Sequence, residues 1–266
     1  MDKNFDKLVD RFERRVYGGL KGKIRLAVIW RDLLERLAWL EQRKGGPLEI
    51  LDAGGGLAQI SVQLAARGHR ILYNDLSAAM LDKARSQAVL AGVDEQFRWH
   101  HGAYQSLATR SGEFDIILCH ALLEWLAEPE LLLPKLRGAL ADGGLLSLCY
   151  YNPAGKTYRN LVRGNFDLLN RSSSYRSDSG SLTPNSACDR DVVLQWLQQA
   201  GLQVIGESGI RVFHDYVVER RGGHQCEDDV LAMELRYSEL APYKWLGRYQ
   251  HIIATTTLAQ QDANGT

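Results

Sequence analysis

The run Leu48-Glu49-Ile50-Leu51-Asp52-Ala53-Gly54-Gly55-Gly56 constrains the chain more than any other stretch. An apolar segment of strand length runs straight into consecutive glycines. The backbone can therefore turn sharply at a strand's carboxyl end and come close to a ligand. From this point short apolar runs alternate with helical patterns, as in a mostly parallel sheet covered on both faces. The patterns predict strands over 48–53, 70–74, 97–101, 115–119 and 145–150, with helices over 59–67, 78–91 and 129–139. Ser77 stands where it can cap the second of these helices. Gly68, Gly92 and Asp142-Gly143-Gly144 stand where turns should end elements. Ahead of this core two helices are expected, over 5–14 and 24–42. After it, 151–189 is rich in Asn, Arg, Ser and Gly, with little periodicity after Leu169, and reads as a long loop of the functional or mobile kind. A helix over 191–200 and strands over 203–206 and 249–255 complete the sheet, and 259–266 reads as a frayed tail.

Composition narrows the function classes. The chain has 266 residues, 45% apolar and 24% charged, with a formal net charge of zero. These values suit a globular protein with a full core and no whole-molecule field for a polyanion. Charge is uneven locally. Residues 1–25 carry eight Lys or Arg against four acids, and 151–190 carry six against three. Solvated helix faces are the commoner meaning of such excesses; two basic surfaces beside one cleft are the sharper one. No apolar run has the length of a membrane span, and the charged start MDKNFDKLVDRFERR is unlike a signal peptide, so a cytoplasmic location is expected. The cysteines at 119, 149, 188 and 226 lack CxxC spacing, and His100-His101 belongs to no ligand cluster, so no metal is expected.

Asp75, about twenty residues beyond the glycines, ends the second strand, where a carboxylate can bind both hydroxyls of an adenosine ribose. The dinucleotide spacing G-x-G-x-x-G fails at Gln59. Asp52, just ahead of the loop, would repel a diphosphate but can hold a cationic amino-acid end. The pattern resembles the first motif of class I S-adenosylmethionine methyltransferases. Phe114-Asp115-Ile116-Ile117 with His120-Ala121-Leu122-Leu123-Glu124-Trp125 resembles their fourth strand and the loop after it, and Ala141-Asp142-Gly143-Gly144 the turn before their fifth. Two departures stand out. Ala58 replaces a frequent glycine, at little cost if its φ is negative. Gly102-Ala103-Tyr104 replaces the acid that often binds adenine, leaving backbone groups and stacking on Tyr104 for that task. The resemblance implies an α/β fold: a Rossmann-like, mostly parallel sheet of seven strands, with N-terminal helices and an insertion after strand five. One domain over 1–266 is expected, with a helical cap (1–47), a cofactor-binding core (48–150), a substrate-side insertion and helices (151–247) and a last strand and tail (248–266).

Motifs outside the core are more specific. Asn4-Phe5-Asp6, Tyr17-Gly18 with Lys21-Gly22, Gly164-Asn165-Phe166-Asp167, the stretch from Gly209 to Tyr216, and Leu246-Gly247-Arg248-Tyr249 together resemble the bacterial tRNA 5-carboxymethoxyuridine methyltransferases. That family esterifies the carboxylate of a modified wobble uridine. The resemblance implies tRNA as partner, through the anticodon stem-loop, and S-adenosyl-L-methionine as cofactor. It implies cofactor contacts at Arg25, Asp52, Gly54, Gly55, Asp75, Tyr104 and His120. On the acceptor side Arg211 would hold the carboxylate, with His214, Tyr150 and Asn152 as neighbours. The basic segments would track phosphates while Tyr151 or Phe166 stacks the base. A carboxylic acid with a pKa near ~4 is already ionised at neutral pH, so methyl transfer to it needs no base, only alignment and a cation. Two alternatives stay open. The same cofactor motifs would serve a methyltransferase acting on a small-molecule carboxylate or hydroxyl, and a silent protein could keep the fold for tRNA recognition alone. The sequence leaves the oligomeric state unknown.

Overall fold

The computed structural model describes residues 2–6, 8–9, 13–14, 18–170 and 188–256. Part of the helix expected over 5–14, part of the basic N-terminal stretch, much of the long loop and the expected tail lie outside these residues. Helix α1 (Gly19–Lys44) leads into strand β1 (Glu49–Ala53), α2 (Gln59–Ala66), β2 (Arg70–Asp75), α3 (Ala78–Leu90), β3 (Phe97–His101), β4 (Phe114–His120), α4 (Leu132–Ala139) and β5 (Leu140–Tyr151). Then follow α5 (Pro153–Val162), α6 (Phe166–Asn170), α7 (Arg190–Gln199), β6 (Leu202–Ile210), α8 (Glu227–Tyr237) and β7 (Tyr249–Thr256). The seven strands form one sheet in the order β3-β2-β1-β4-β5-β7-β6. Only β7 runs antiparallel to its neighbours, which closes the sheet between β5 and β6.

Each face of the sheet buries its own apolar set. Ile24, Val28, Leu33, Leu37 and Leu40 of α1 recur at helical spacing and pack with Leu64 of α2 and Ala84 of α3 against Ile50, Ile116 and Ile253. The opposite face packs Leu132, Leu133 and Leu136 of α4 and Val193 and Leu197 of α7 against Leu51, Ile117, Leu148 and Ile252. Gly45 ends α1 in the left-handed region, returning its N–H to the Glu41 carbonyl. Ser77 caps α3 as expected, its Oγ accepting from the Met80 N–H at 3.2 Å. Among the described residues no helix is long and apolar enough to cross a membrane.

Three expectations are corrected. Asp142-Gly143-Gly144 does not precede the fifth strand but lies within β5, which starts at Leu140 paired with Phe114; the register shifts between Phe114 and Ile116. Gly143 has φ 71°, and a Cβ on Gly144 would lie 2.9 Å from the Asp115 carbonyl oxygen, so both glycines serve an irregularity inside the strand. The stretch after β5 is not wholly loop. Pro153 at the start of α5 and the Asn152 cap, accepting from the Ala154 N–H at 3.1 Å, start a helix there. Ala58 has φ 54°, not the negative value that would make its departure from glycine costless. The left-handed region costs a non-glycine residue roughly 1–2 kcal/mol.

Candidate active site

The carboxyl ends of β1, β2 and β4 open onto a cleft lined by Asp52, Gly54, Gly55, Gly56, Asp75, Tyr104 and His120, with Ile60, Leu76, Met80, Leu122 and Trp125 as apolar walls. The glycine loop is stitched to β2. The Gly55 N–H donates to the Asn74 carbonyl at 3.0 Å, the Gly56 N–H to Asp75 Oδ2 at 2.9 Å, and the Tyr73 hydroxyl to the Gly56 carbonyl at 2.6 Å. Gly55 therefore has a different reason from the one expected. A Cβ there would collide with the Tyr73 ring and lie 2.7 Å from Asp52 Oδ2. The close approach is internal. Gly54 and Gly56 need positive φ instead, at 68° and 55°.

The cleft holds two acids. Asp52 is buried, and its carboxylate accepts from Ser61 Oγ at 2.5 Å. Burial pushes its pKa up to about 7, against the Ser61 bond and with the help of Asp75. Asp75 is raised too, by burial against its bonds to the Ser77 and Gly56 N–H groups. An ammonium group beside Asp52 would recover the cost of burying its charge, and Asp75 keeps lone pairs for two hydroxyls. The N-terminal residues close one side of the cleft. Phe5 meets Trp125 edge-on at 5.0 Å, Asn4 donates to the Leu76 carbonyl, and Asp6 accepts from Ser77 Oγ at 2.6 Å. Acids at both depths and apolar walls between them fit a cofactor with a ribose, an aromatic base and a cationic amino-acid end.

A second cavity adjoins the first. Among the described residues it is lined by Arg14, Lys21, Arg25, Arg159, Arg163, Arg211, Arg220 and Arg248, with His214 and His224, against the single acid Asp215. Tyr151 and Tyr249 lie in its wall, edge to face at 5.6 Å. Arg25 and Arg211 approach the Tyr249 ring to 4.6 and 5.4 Å, and Arg248 approaches Tyr151 to 4.7 Å. Arg25 was expected among the cofactor contacts, yet it lines this cavity. Its charge still reaches across: after burial and His251, it lowers the pKa of His120 on the cofactor side. Arg211 follows β6 in the left-handed region, at φ 59°, a costly conformation for a non-glycine residue. Buried Glu234 of α8 holds the turn beyond it, accepting from the N–H groups of Val212, Phe213 and His214 at 2.7, 3.1 and 2.7 Å. The Arg211 guanidinium reaches Asp215 at only 3.5 Å, and its Nε has no partner among the described residues. His214 stands beside it with a lowered pKa, because burial outweighs the opposing pull of Asp215.

The other acceptor-side expectations do not gather here. Tyr150 lines neither cavity; alternation along β5 sends it into the opposite core, with Leu148 and Val193, and brings Tyr151 to the basic cavity instead. Asn152 is committed to structure, donating to the carbonyls of Trp245 and Gly247 at 2.8 and 2.7 Å. Phe166 is exposed and lines neither cavity. Arg159, Arg220 and Arg248 were not singled out as site residues in the sequence. Among the described residues no three His, Cys, Asp or Glu gather as a metal site.

Comparison with known proteins places this geometry. Residues 51–148 match the family described as "Methyltransferase domain". The chain is 40% identical over 254 residues to the tRNA 5-carboxymethoxyuridine methyltransferase of Escherichia coli (strain K12), covering 95% of this chain and 96% of that one. A ubiquinone biosynthesis O-methyltransferase of Psychrobacter cryohalolentis is 30% identical but covers 44% of this chain. In fold, the chain is similar to magnesium protoporphyrin IX methyltransferase from Synechocystis PCC 6803 with bound SAH. The TM-score is 0.59, with 95% of this chain and 96% of that one covered at 17% identity. The fold likeness and the sequence likeness both run nearly end to end. The chain belongs to the tRNA 5-carboxymethoxyuridine methyltransferase family, within the class I S-adenosylmethionine-dependent methyltransferases.

Proposed function

We propose that this chain methylates the carboxylate of 5-carboxymethoxyuridine at the wobble position of tRNA, giving the methyl ester. The observation that carries this reading is the basic cavity beside the cofactor cleft, where, among the described residues, eight Lys and Arg side chains face one carboxylate. An isolated metabolite carboxylate needs one or two cations; a nucleotide within an anticodon stem-loop brings its flanking phosphates as well. When bound in the first cleft, S-adenosylmethionine supplies an electrophilic methyl group. Asp75 would hold its ribose hydroxyls, Asp52 its ammonium, and Tyr104 its base. Gly54 and Gly55 shape the loop around it, and Arg25 and His120 stand at the boundary with the acceptor.

On the acceptor side Arg211 would bind the carboxylate, keeping it ionised and fixed. A guanidinium can engage both oxygens of one carboxylate, and Arg211 still has donors to give. His214, whose pKa is lowered by burial, favours its neutral ring and can add a hydrogen bond. The nucleophile arrives deprotonated, so no side chain needs to remove a proton. Alignment in a dry site can contribute roughly 7–11 kcal/mol. Arg159, Arg163 and Arg248 would follow the backbone on either side of the base.

The test is to compare initial rates on tRNA bearing 5-carboxymethoxyuridine with rates on the free modified nucleoside. The proposal expects a large preference for tRNA that shrinks as salt rises. Equal rates on both would identify a small-molecule enzyme.

A further inference from the structure

His120 meets the cofactor cleft with one edge of its ring and a buried polar chain with the other. His120 Nε2 lies 2.8 Å from Ser147 Oγ, which lies 2.8 Å from His251 Nε2. His251 Nδ1 lies 2.7 Å from Asp32 Oδ2, and the other Asp32 oxygen accepts from Arg31 Nε at 3.0 Å. The chain crosses the molecule from α1 through β7 and β5 to the end of β4. Ser147 and His251 are wholly buried, so no water competes for these bonds.

Proton counting fixes its direction. Burial pushes the Asp32 carboxyl up, but the hydrogen bonds from His251 and Arg31 and the Arg31 charge hold it below the ordinary range. Ionised, Asp32 can only accept, so His251 Nδ1 must carry a proton. With His251 neutral, its Nε2 is a lone pair and takes the single Ser147 hydroxyl proton. Ser147 Oγ must then accept, and the remaining neighbour, His120 Nε2, must carry a proton. His251 is wholly buried and Asp32 already has the Arg31 guanidinium as its counter-ion, so a charge on the ring would be a second cation in the core with no carboxylate of its own. His120 Nδ1 is left as a lone pair with no partner among the described residues.

We propose that Asp32, His251 and Ser147 are positioning residues that hold His120 as its neutral Nε2–H tautomer and present Nδ1 to the cofactor cleft as a hydrogen-bond acceptor. The acceptor suits a hydroxyl or an ammonium group of the cofactor and refuses a carboxylate. The role toward the cofactor rests on the proposed function; the tautomer does not, because it is a property of the cofactor-free protein.

The test uses the full chain labelled with ¹⁵N histidine, with the His120 signals assigned by comparison with His120→Gln. The expected spectrum shows a pyrrole-type Nε2 and a pyridine-type Nδ1 for His120. Ser147→Ala should free the ring to populate both tautomers and weaken cofactor binding roughly 3- to 10-fold by calorimetry. Ser147→Thr keeps the hydroxyl and should restore both readouts. Asp32→Asn, which can donate to His251, should shift His120 toward the Nδ1–H form. A cofactor analogue lacking a ribose hydroxyl and one lacking the amine separate the two donors. The one whose loss is no longer felt in Ser147→Ala names the partner, and no coupling to either overturns the acceptor role. A wild-type His120 protonated on Nδ1, or Ser147→Ala with unchanged tautomer, overturns the network. A pinned tautomer in a chain that does not bind the cofactor would sink the proposed function and the acceptor role with it.

Discussion

The two cavities stand side by side but are built in opposite ways. The cofactor cleft is made largely by backbone: a glycine loop sewn to β2, with one acid at the end of β1 and another at the end of β2. Most of its lining comes from residues 52–126, and its shape is set before any ligand arrives. The basic cavity is made by side chains that converge from the start of α1, the end of β5, α5, the turn after β6 and the residue before β7. Its cations repel one another, and among the described residues only Asp215 offsets them from within the cavity. A local, backbone-defined site can be reused with many acceptors. A convergent one of long side chains is particular to its substrate.

The largest expected effect tests this division. Arg211→Ala should lower kcat/KM on modified tRNA by roughly 2–5 kcal/mol, with cofactor affinity nearly unchanged. Arg211→Lys should recover little, because an ammonium lacks the planar fork. Single-turnover kinetics and calorimetry read the two halves; a matched loss of cofactor affinity would mean that the cavities are not separate in function.

Next comes charge. If Arg159, Arg163 and Arg248 contact phosphates, log affinity for tRNA should fall with log salt by roughly 0.7–0.9 per contact. Replacing each with Gln should reduce that slope stepwise, whereas cofactor binding should keep its salt dependence. A slope near zero in the wild type would remove the phosphate reading.

The cofactor side should respond to pH rather than salt. Asp52, raised to about 7 by burial, must ionise to pair with an ammonium, so binding releases a proton. Affinity should therefore rise with pH up to about 7 and level off above it. Below that point it should drop by up to about tenfold per unit. Asp52→Asn should flatten this profile. An unchanged profile would place the titration elsewhere, with Glu124, also held at about 7 by burial, as the next group to examine.

The smallest effect concerns Tyr150. Among the described residues its hydroxyl has no hydrogen-bond partner, and its ring faces the core away from both cavities. Tyr150→Phe should leave kcat/KM unchanged and shift stability by no more than about 0.5 kcal/mol, read by thermal denaturation. A large loss of activity would restore it to the site.

The contrast also explains what the sequence could reveal. Strand positions and the two acids of the cofactor cleft were legible because each depends on neighbours in sequence: a strand, a glycine loop, an acid one strand later. The reason for Gly55 was not, since it depends on the Tyr73 ring from the next strand. Alternation along β5 could have separated Tyr150 from Tyr151, had the strand's facing been fixed by a residue such as Cys149, which packs with the α1 face. Arg220 carried no local signal, and Arg248 stood in a motif whose role was not legible, for the meaning of both comes from elements distant in the chain. The same holds for Asp32 and His251, 219 positions apart yet hydrogen-bonded in the core.

The central claim is esterification of a tRNA carboxylate, and the product's chemistry tests it most directly. Purified protein would be incubated with methyl-labelled S-adenosylmethionine and tRNA, either bearing 5-carboxymethoxyuridine or with plain uridine at the same position. Nucleoside mass spectrometry and mild alkaline hydrolysis would then locate the label. The expected result is a methylated wobble nucleoside only in the modified tRNA, with the label released as methanol by alkali, as an ester requires. Label that resists alkali, or appears equally on tRNA with plain uridine, would contradict the account.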